Sequence, residues 1–252
     1  MSSPDLANGI ALRSHGGKGV RVALLDSGVN AHHSHVREVA GGVHVRWRED
    51  GSLEFDPDYG DVLGHGTAVA GVIRTKAPEV ELYAVRVFDR ELRTHAAVVA
   101  AAIRWAVEHG MQVVNISLGT ERQEHRELLQ EACDEACRRG VMLVAASEDE
   151  RECFPASFAG VIAVAGDERC AWDEYFYCPD SGVRFRAHPS PRPLPGRPQR
   201  FNLRGHSFAA AHITACVARI LEERPPARHE EIVQLLIAQA TPTEQAAARL
   251  RA

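Results

Sequence analysis

Apolar runs and helical periodicities alternate along most of the chain. Residues 20–25, inside Gly19-Val-Arg-Val-Ala-Leu-Leu-Asp26, are apolar and β-branched and stop at Asp26-Ser27-Gly28. They predict a buried strand feeding a turn, with an acid at the strand's carboxyl end. Further strands are predicted over residues 43–47, 81–88, 113–117, 141–146 and 161–165. Val98, Ala101, Ala102, Trp105 and Ala106 recur at helical spacing within residues 94–110, where Gly110 supplies a stop, and residues 124–139 read as a helix ended by Gly140. Residues 50–61 read as a polar loop, whereas Gly64-His-Gly-Thr-Ala-Val-Ala-Gly71 has the small residues of a helix packed closely on a sheet. Ser207 opens an apolar helix to Leu221, Pro225-Pro226 ends that segment, and residues 230–240 form a final amphipathic helix.

This alternation predicts an α/β fold, a single doubly wound domain over residues 1–252 with a mostly parallel central sheet flanked by helices. Ligands of such sheets gather beyond the carboxyl ends of the strands. Over residues 179–200 the pattern breaks down around Pro189-Ser-Pro-Arg-Pro-Leu-Pro195, which reads as a Pro-rich surface loop. It is not a domain linker, because residues 202–252 are too few to fold alone.

Composition narrows the function classes. With 45% hydrophobic and 25% charged residues, the 252-residue chain can build a core. Its 29 Lys and Arg against 34 Asp and Glu argue against a nucleic-acid partner held by broad phosphate neutralisation. No apolar run approaches bilayer length, and Met1-Ser-Ser-Pro-Asp-Leu-Ala-Asn8 has neither the basic nor the apolar region of a signal peptide. The expectation is a cytoplasmic protein with no membrane partner.

All six cysteines lie in the second half, a poor disulfide framework for a chain this long, although one or two bridges there stay open. Cys133 and Cys137 share a predicted helix face with Leu129 and read as buried thiols. No C-x-x-C or H-E-x-x-H accompanies them, so no metal is assigned. Gly16-Gly17-Lys18-Gly19 precedes a strand and lacks the strand-then-helix context of a nucleotide loop, so no cofactor is expected.

Three segments carry the chemistry: Asp26-Ser27-Gly28, Gly64-His65-Gly66-Thr67-Ala-Val-Ala-Gly71, and Gly205-His206-Ser207-Phe208-Ala-Ala-Ala-His212. A serine hydroxyl is a poor nucleophile until a neighbouring imidazole takes its proton, and that imidazole needs an acid to hold its tautomer and stabilise its cation. Asp26, His65 and Ser207 can supply those roles once the fold assembles them. Ser207 at a helix start would also leave backbone N–H groups facing developing negative charge. Taken singly, each has a bland reading, Asp26 as a turn residue and Ser207 as a helix cap. Of the 13 histidines, most read as surface or satisfied core residues; His206, just before Ser207, reads as a pocket-shaping residue.

In the order Asp, His, Ser, with Asn115-Ile-Ser-Leu-Gly119 and Phe154-Pro-Ala-Ser157 in compatible places, the chain resembles the subtilisin-like serine proteases from about residue 17 to 240. The resemblance implies endopeptidase chemistry through an acyl-enzyme. It also implies that Ser117, Leu118 and Gly119 pair with an extended peptide, and that Ala145, Ala146 and Ser147 form the opposite wall of the first specificity pocket. A medium or large apolar side chain before the cut is the expectation there. Calcium stabilises members of the family, but no binding loop is matched here.

Two departures stand out. The family usually places an asparagine after the strand ending at Ala145, its amide donating to the oxyanion; the direct match here is Glu148, followed by Asp149 and Glu150. An ionised carboxylate only accepts hydrogen bonds. In subtilisin itself, loss of this donor costs roughly 10²–10³ in turnover. Glu148 could be held neutral and donate, Ser147 or a nearby amide could substitute, a partner or the substrate could complete the hole, or the site could be weak or dead. The bland reading places Glu148 in a solvated acidic loop. The second departure is Ala211, where the family often has proline.

With little chain before the first core strand, a family-type prodomain is not expected, and the resemblance favours a restricted intracellular processor of a peptide or precursor protein, leader-peptide processing included. An activating or inhibitory protein partner is compatible with that role. The alternative is a catalytically weak or inactive peptide-binding or scaffold protein on the same fold.

Overall fold

The computed structural model describes residues 15–148, 151–225 and 228–242. The opening residues 1–14, Asp149 and Glu150 of the acidic loop, and Pro226 lie outside the described residues. The strands are β1 (Arg21–Asp26), β2 (Gly41–Trp47), β3 (Leu53–Asp56), β4 (Glu81–Arg86), β5 (Val113–Ile116), β6 (Met142–Ala146), β7 (Val161–Gly166), β8 (Tyr175–Tyr177) and β9 (Phe185–Ala187). The helices are α1 (His65–Lys76), α2 (Ala96–Glu108), α3 (Arg126–Arg138), α4 (His206–Glu223) and α5 (His229–Gln239).

One sheet runs in the order β3-β2-β4-β1-β5-β6-β7-β9-β8. The inner seven strands are mutually parallel, and β3 and β8 pair antiparallel at the two edges. Because side chains alternate across a strand, each central strand feeds two cores. Val22 and Leu24 of β1 pack with Val113, Val144 and Ile162 beneath α1, α4 and α5. Ala23 and Leu25 pack with Val114, Ile116 and Leu143 against α2 and α3. This is the doubly wound α/β fold that the alternation predicts.

Strand β1 sits in the middle, with β4 on one side and β5 on the other, so the chain reverses its direction of winding there and opens a crevice past the carboxyl ends. Asp26 ends β1, Ser117 follows β5, and Ser147 and Glu148 follow β6. Helix α4, with twelve buried residues, lies under this crevice and brings its first turn to it. Its hold on the sheet is specific as well as apolar. Buried Thr214 donates to Asn115 Oδ1 (2.8 Å), and Asn115 donates from Nδ2 to Ser117 Oγ (2.8 Å), so one amide ties α4 to β5.

Two segments differ from expectation. The polar loop at 50–61 contains β3, a half-exposed edge strand too short and polar to show periodicity. The segment at 179–200 is a surface loop only in its later part. Val183, Phe185 and Ala187 are buried, β9 joins β7, and Pro189, Ser190 and Pro191 are buried as well. Arg184 and Arg186 interrupt these apolar residues, and three strand residues give too short an alternation to register. The segment also reaches the crevice, since the Gly205 N–H donates to the Pro189 carbonyl (2.9 Å).

Candidate active site

Asp26 is fully buried, and its carboxylate holds His65 Nδ1 at 2.8 and 3.0 Å, one contact to each oxygen. The contact engages Nδ1 and leaves Nε2 as the ring nitrogen not held by Asp26. Burial pushes the His65 pKa down, but the Asp26 hydrogen bond and charge, joined by the charge of Asp61, outweigh it and raise the value above the ordinary 6.5. Close approach is needed here. A side chain on Gly66 would run into the Gly28 carbonyl and the Asp26 side chain, and Gly28 itself sits at φ 97°, a left-handed conformation that glycine adopts without strain.

Sequence reasoning missed the clasp that sets this loop. One oxygen of Asp61 accepts from the Ser27 hydroxyl (2.9 Å) and from the N–H groups of Leu63 (2.9 Å) and Gly64 (2.8 Å). The other accepts from the N–H (2.8 Å) and hydroxyl (2.5 Å) of Thr67. Ser27 Oγ in turn accepts from the Gly66 N–H (2.9 Å), and Thr67 Oγ1 accepts from the Asn30 N–H (3.0 Å). Asp61 therefore caps α1 from upstream and binds the Asp26 turn to the His65 turn. The legible signal was an aspartate placed just before a helix start.

Ser207 is the second residue of α4, and Gly205 precedes it in an extended conformation. The Ser207 hydroxyl donates to the Ser117 carbonyl (3.1 Å); no hydrogen bond to His65 is formed in this state. Phe208 packs against the His65 ring, centroid to centroid 5.4 Å, which brings His65 and Ser207 to the same end of the crevice. Such contacts are often loose before substrate arrives and tighten with it.

Ser207 opens onto a cleft of about 300 Å³. Ser117, Leu118 and Gly119 line one side, Ala146, Ser147 and Glu148 the other, and Gly205 and His206 border it beside Ser207. Ala145 is a correction. It is fully buried on the α2/α3 face, because alternation along β6 turns it away from the cleft. Glu121 and Cys153 also border the cleft, and neither was singled out from sequence. Leu118, Gly119 and Thr120 border a larger groove of about 860 Å³ as well, whose lining includes Trp47, Val99, Leu129 and Phe154.

At the position matched to the missing amide, Glu148 is exposed on the cleft rim. Ser147, the candidate substitute, is otherwise engaged: its N–H donates to Val164 (2.9 Å) and its hydroxyl to the Glu148 carbonyl (3.3 Å). All six cysteines are free, and burial raises the thiols of Cys133 and Cys170 to about 12. Among the described residues, no three His, Cys, Asp or Glu side chains are grouped to hold a metal ion. No helix among them is long and apolar enough to cross a membrane.

A doubly wound sheet with an Asp–His pair and a helix-borne serine at its carboxyl edge defines the class of the subtilisin-like proteins. The profile of the Subtilase family matches residues 17–251, and the chain belongs to that family. It is 31% identical over 239 residues to a thermostable alkaline protease of Halalkalibacterium halodurans, covering 89% of this chain and 63% of the relative. It is 32% identical over 162 residues to the minor extracellular protease Epr of Bacillus subtilis, covering 59% of this chain and 23% of that protein. A solved cold-adapted subtilisin-like serine proteinase superposes with a TM-score of 0.71 at 22% identity, over 92% of this chain and 87% of the other. The chain thus spans less than two thirds of these two curated relatives.

The relatives correct the expected location. One of them is named an extracellular protease, against the cytoplasmic reading. That reading rested on the composition of the opening residues, which does not report where a folded domain works.

Proposed function

We propose that the chain is a serine endopeptidase that cleaves a restricted peptide or precursor-protein substrate through an acyl-enzyme. The observation that carries this reading is the buried Asp26 carboxylate on His65 Nδ1, in a ring that packs against Phe208, the residue after the helix-start serine. Rotation of the Ser207 hydroxyl from the Ser117 carbonyl toward His65 lets Nε2 take its proton as Oγ bonds to the scissile carbonyl carbon. Asp26 holds the imidazolium. The tetrahedral adduct collapses when His65 protonates the leaving amine, and the C–N bond breaks. Water then attacks the acyl-enzyme with His65 again accepting a proton, releasing the acid and restoring Ser207.

An extended substrate adds as a strand along Ser117, Leu118 and Gly119 and continues into the larger groove. Several residues held in extended form favour a selected sequence over general digestion. Glu148 at the oxyanion position supports the second reading, a peptide-binding derivative without turnover. Labelling by a fluorophosphonate, read as intact mass with Ser207→Ala alongside, separates the two. Adduct formation on the parent and none on the variant is expected; a parent that neither labels nor cleaves at any pH from about 5 to 9 would leave the binding reading standing.

A further inference from the structure

The reaction proposed above needs at least one hydrogen-bond donor, and usually two, at the developing oxyanion. The Ser207 N–H, in the first turn of α4, is one, since first-turn amides have no partner within the helix. Glu148 stands where the second is expected, and an ionised carboxylate has no proton to give. The Ser147 hydroxyl is spent on the Glu148 carbonyl, and the Asn115 amide is buried between Ser117 and Thr214.

The N–H donor nearest the nucleophile in sequence is on its neighbour in the cleft lining. His206 precedes the nucleophile, is half-buried and lines the cleft beside Ser207 and Glu148. Its Nδ1 accepts a hydrogen bond from the Gly166 backbone N–H at 3.0 Å, at the carboxyl end of β7. A backbone N–H can only donate, so Nδ1 must carry its lone pair there, and the proton of the neutral ring sits on Nε2. Gly166 is itself fixed. Pro189 packs over it closely enough that an added Cβ would meet the proline ring at 2.8 Å, and the Pro189 carbonyl holds the Gly205 N–H just before His206. The tautomer is therefore set by rigid backbone from β7 and from the segment after β9, and no hydrogen bond among the described residues consumes Nε2–H.

We infer that His206 is a catalytic residue that donates from Nε2 to the oxyanion, in the role left vacant at Glu148. This rests on the serine-endopeptidase reading. It also gives His206 a role distinct from that of His65: the base needs its Nε2 lone pair and the donor needs its Nε2 proton, and Asp26 on one Nδ1 and Gly166 on the other select those opposite tautomers.

The test compares the parent with His206→Phe, which keeps the ring volume, and with His206→Gln, which restores an amide donor. kcat and KM on a cleaved peptide are measured, together with inhibition by a peptide aldehyde and its matched alcohol. Only the aldehyde forms a tetrahedral adduct with an oxyanion. For His206→Phe we expect kcat to fall by about 10²-fold with KM within about twofold, and the aldehyde to lose affinity in parallel while the alcohol does not. Partial recovery is expected in His206→Gln, and a Glu148→Asn change placed in the His206→Phe protein should recover turnover by supplying the amide at the other position.

An unchanged kcat in His206→Phe overturns the inference while leaving the endopeptidase reading intact. So does an equal loss for aldehyde and alcohol, which marks a packing role. If His206→Phe fails to fold, the aldehyde-to-alcohol ratio in His206→Leu, which also lacks a donor, decides, with an unchanged ratio counting against the role. A parent that neither cleaves nor labels overturns both readings together.

Discussion

The His65 flank and the Ser207 flank of the crevice, base and nucleophile in the proposed mechanism, meet their polar requirements by different means. On the base flank, Asp26, Ser27, Asp61, Gly66 and Thr67 form a closed network in which Asp61 alone accepts five hydrogen bonds. On the nucleophile flank, Ser207 hangs on a single bond to a backbone carbonyl, and an exposed glutamate occupies a donor position. A satisfied network fixes one geometry, because each group's alternative conformers would leave a buried partner unpaired. A sparse flank is free to move. On the proposed mechanism, His65 is prepositioned in the resting protein, and the Ser207 side is completed when substrate arrives.

The largest break in this contrast is removal of the base. His65→Ala is expected to lower kcat/KM by at least about 10³-fold with little change in peptide binding, read by steady-state kinetics beside equilibrium binding to the Ser207→Ala protein. A loss under tenfold would place the base elsewhere.

Next comes the clasp. Asp61→Ala strands the Thr67 and Gly64 N–H groups and frees the His65 turn, so a loss of about 2 kcal/mol is expected, or roughly 4–8 °C in Tm, with kcat down about tenfold. Ser27→Ala shares the network, so the double variant should lose less than the sum. Additive losses would show that the network is not a unit.

Protonation separates the flanks further. His65 must be neutral to accept a proton, and its pKa is raised, so the acidic limb of kcat/KM should lie above pH 6.5. Asp61→Asn removes one raising charge and should move that limb downward; a limb that stays put would discount Asp61's charge. The raised value also means that the pair's contribution to stability is fully present below the unfolded value near 6.5 and is lost as pH rises through the folded value.

The smallest effect runs in the opposite direction. Burial, with the charges of Arg86 and Arg46, lowers His44 to about 4. The unfolded chain therefore binds more protons between pH 6.5 and about 4, and the stability that neutral His44 contributes above that range is lost as pH falls through it. His44→Gln should flatten the dependence of Tm on pH in this window, and an unchanged slope would assign it to other groups.

Much of the fold was legible because buried parallel strands are long apolar runs and α2 and α3 keep their periodicity and glycine stops. β3 and β9 were not, since three or four residues flanked by charge give no usable period. In the site, Asp26, His65 and Ser207 were legible because each sits in a run of small residues that allows close approach. Asp61 was hidden, being one more acid in a polar loop until Ser27, Gly64 and Thr67 surround it. Ala145 was misplaced by one step, since only the pleat decides which neighbour on β6 faces the cleft.

The sequence by itself determined the order of strands and helices, the residue types able to move a proton, and the absence of an amide at position 148. Tertiary structure decided which of those residues meet. Hydrogen-bond partners such as Asp61 with Ser27, or Gly166 with His206, lie 34 and 40 residues apart. No local pattern encodes them, because a hydrogen bond is set within tenths of an ångström and only the packed sheet and α4 fix positions that finely.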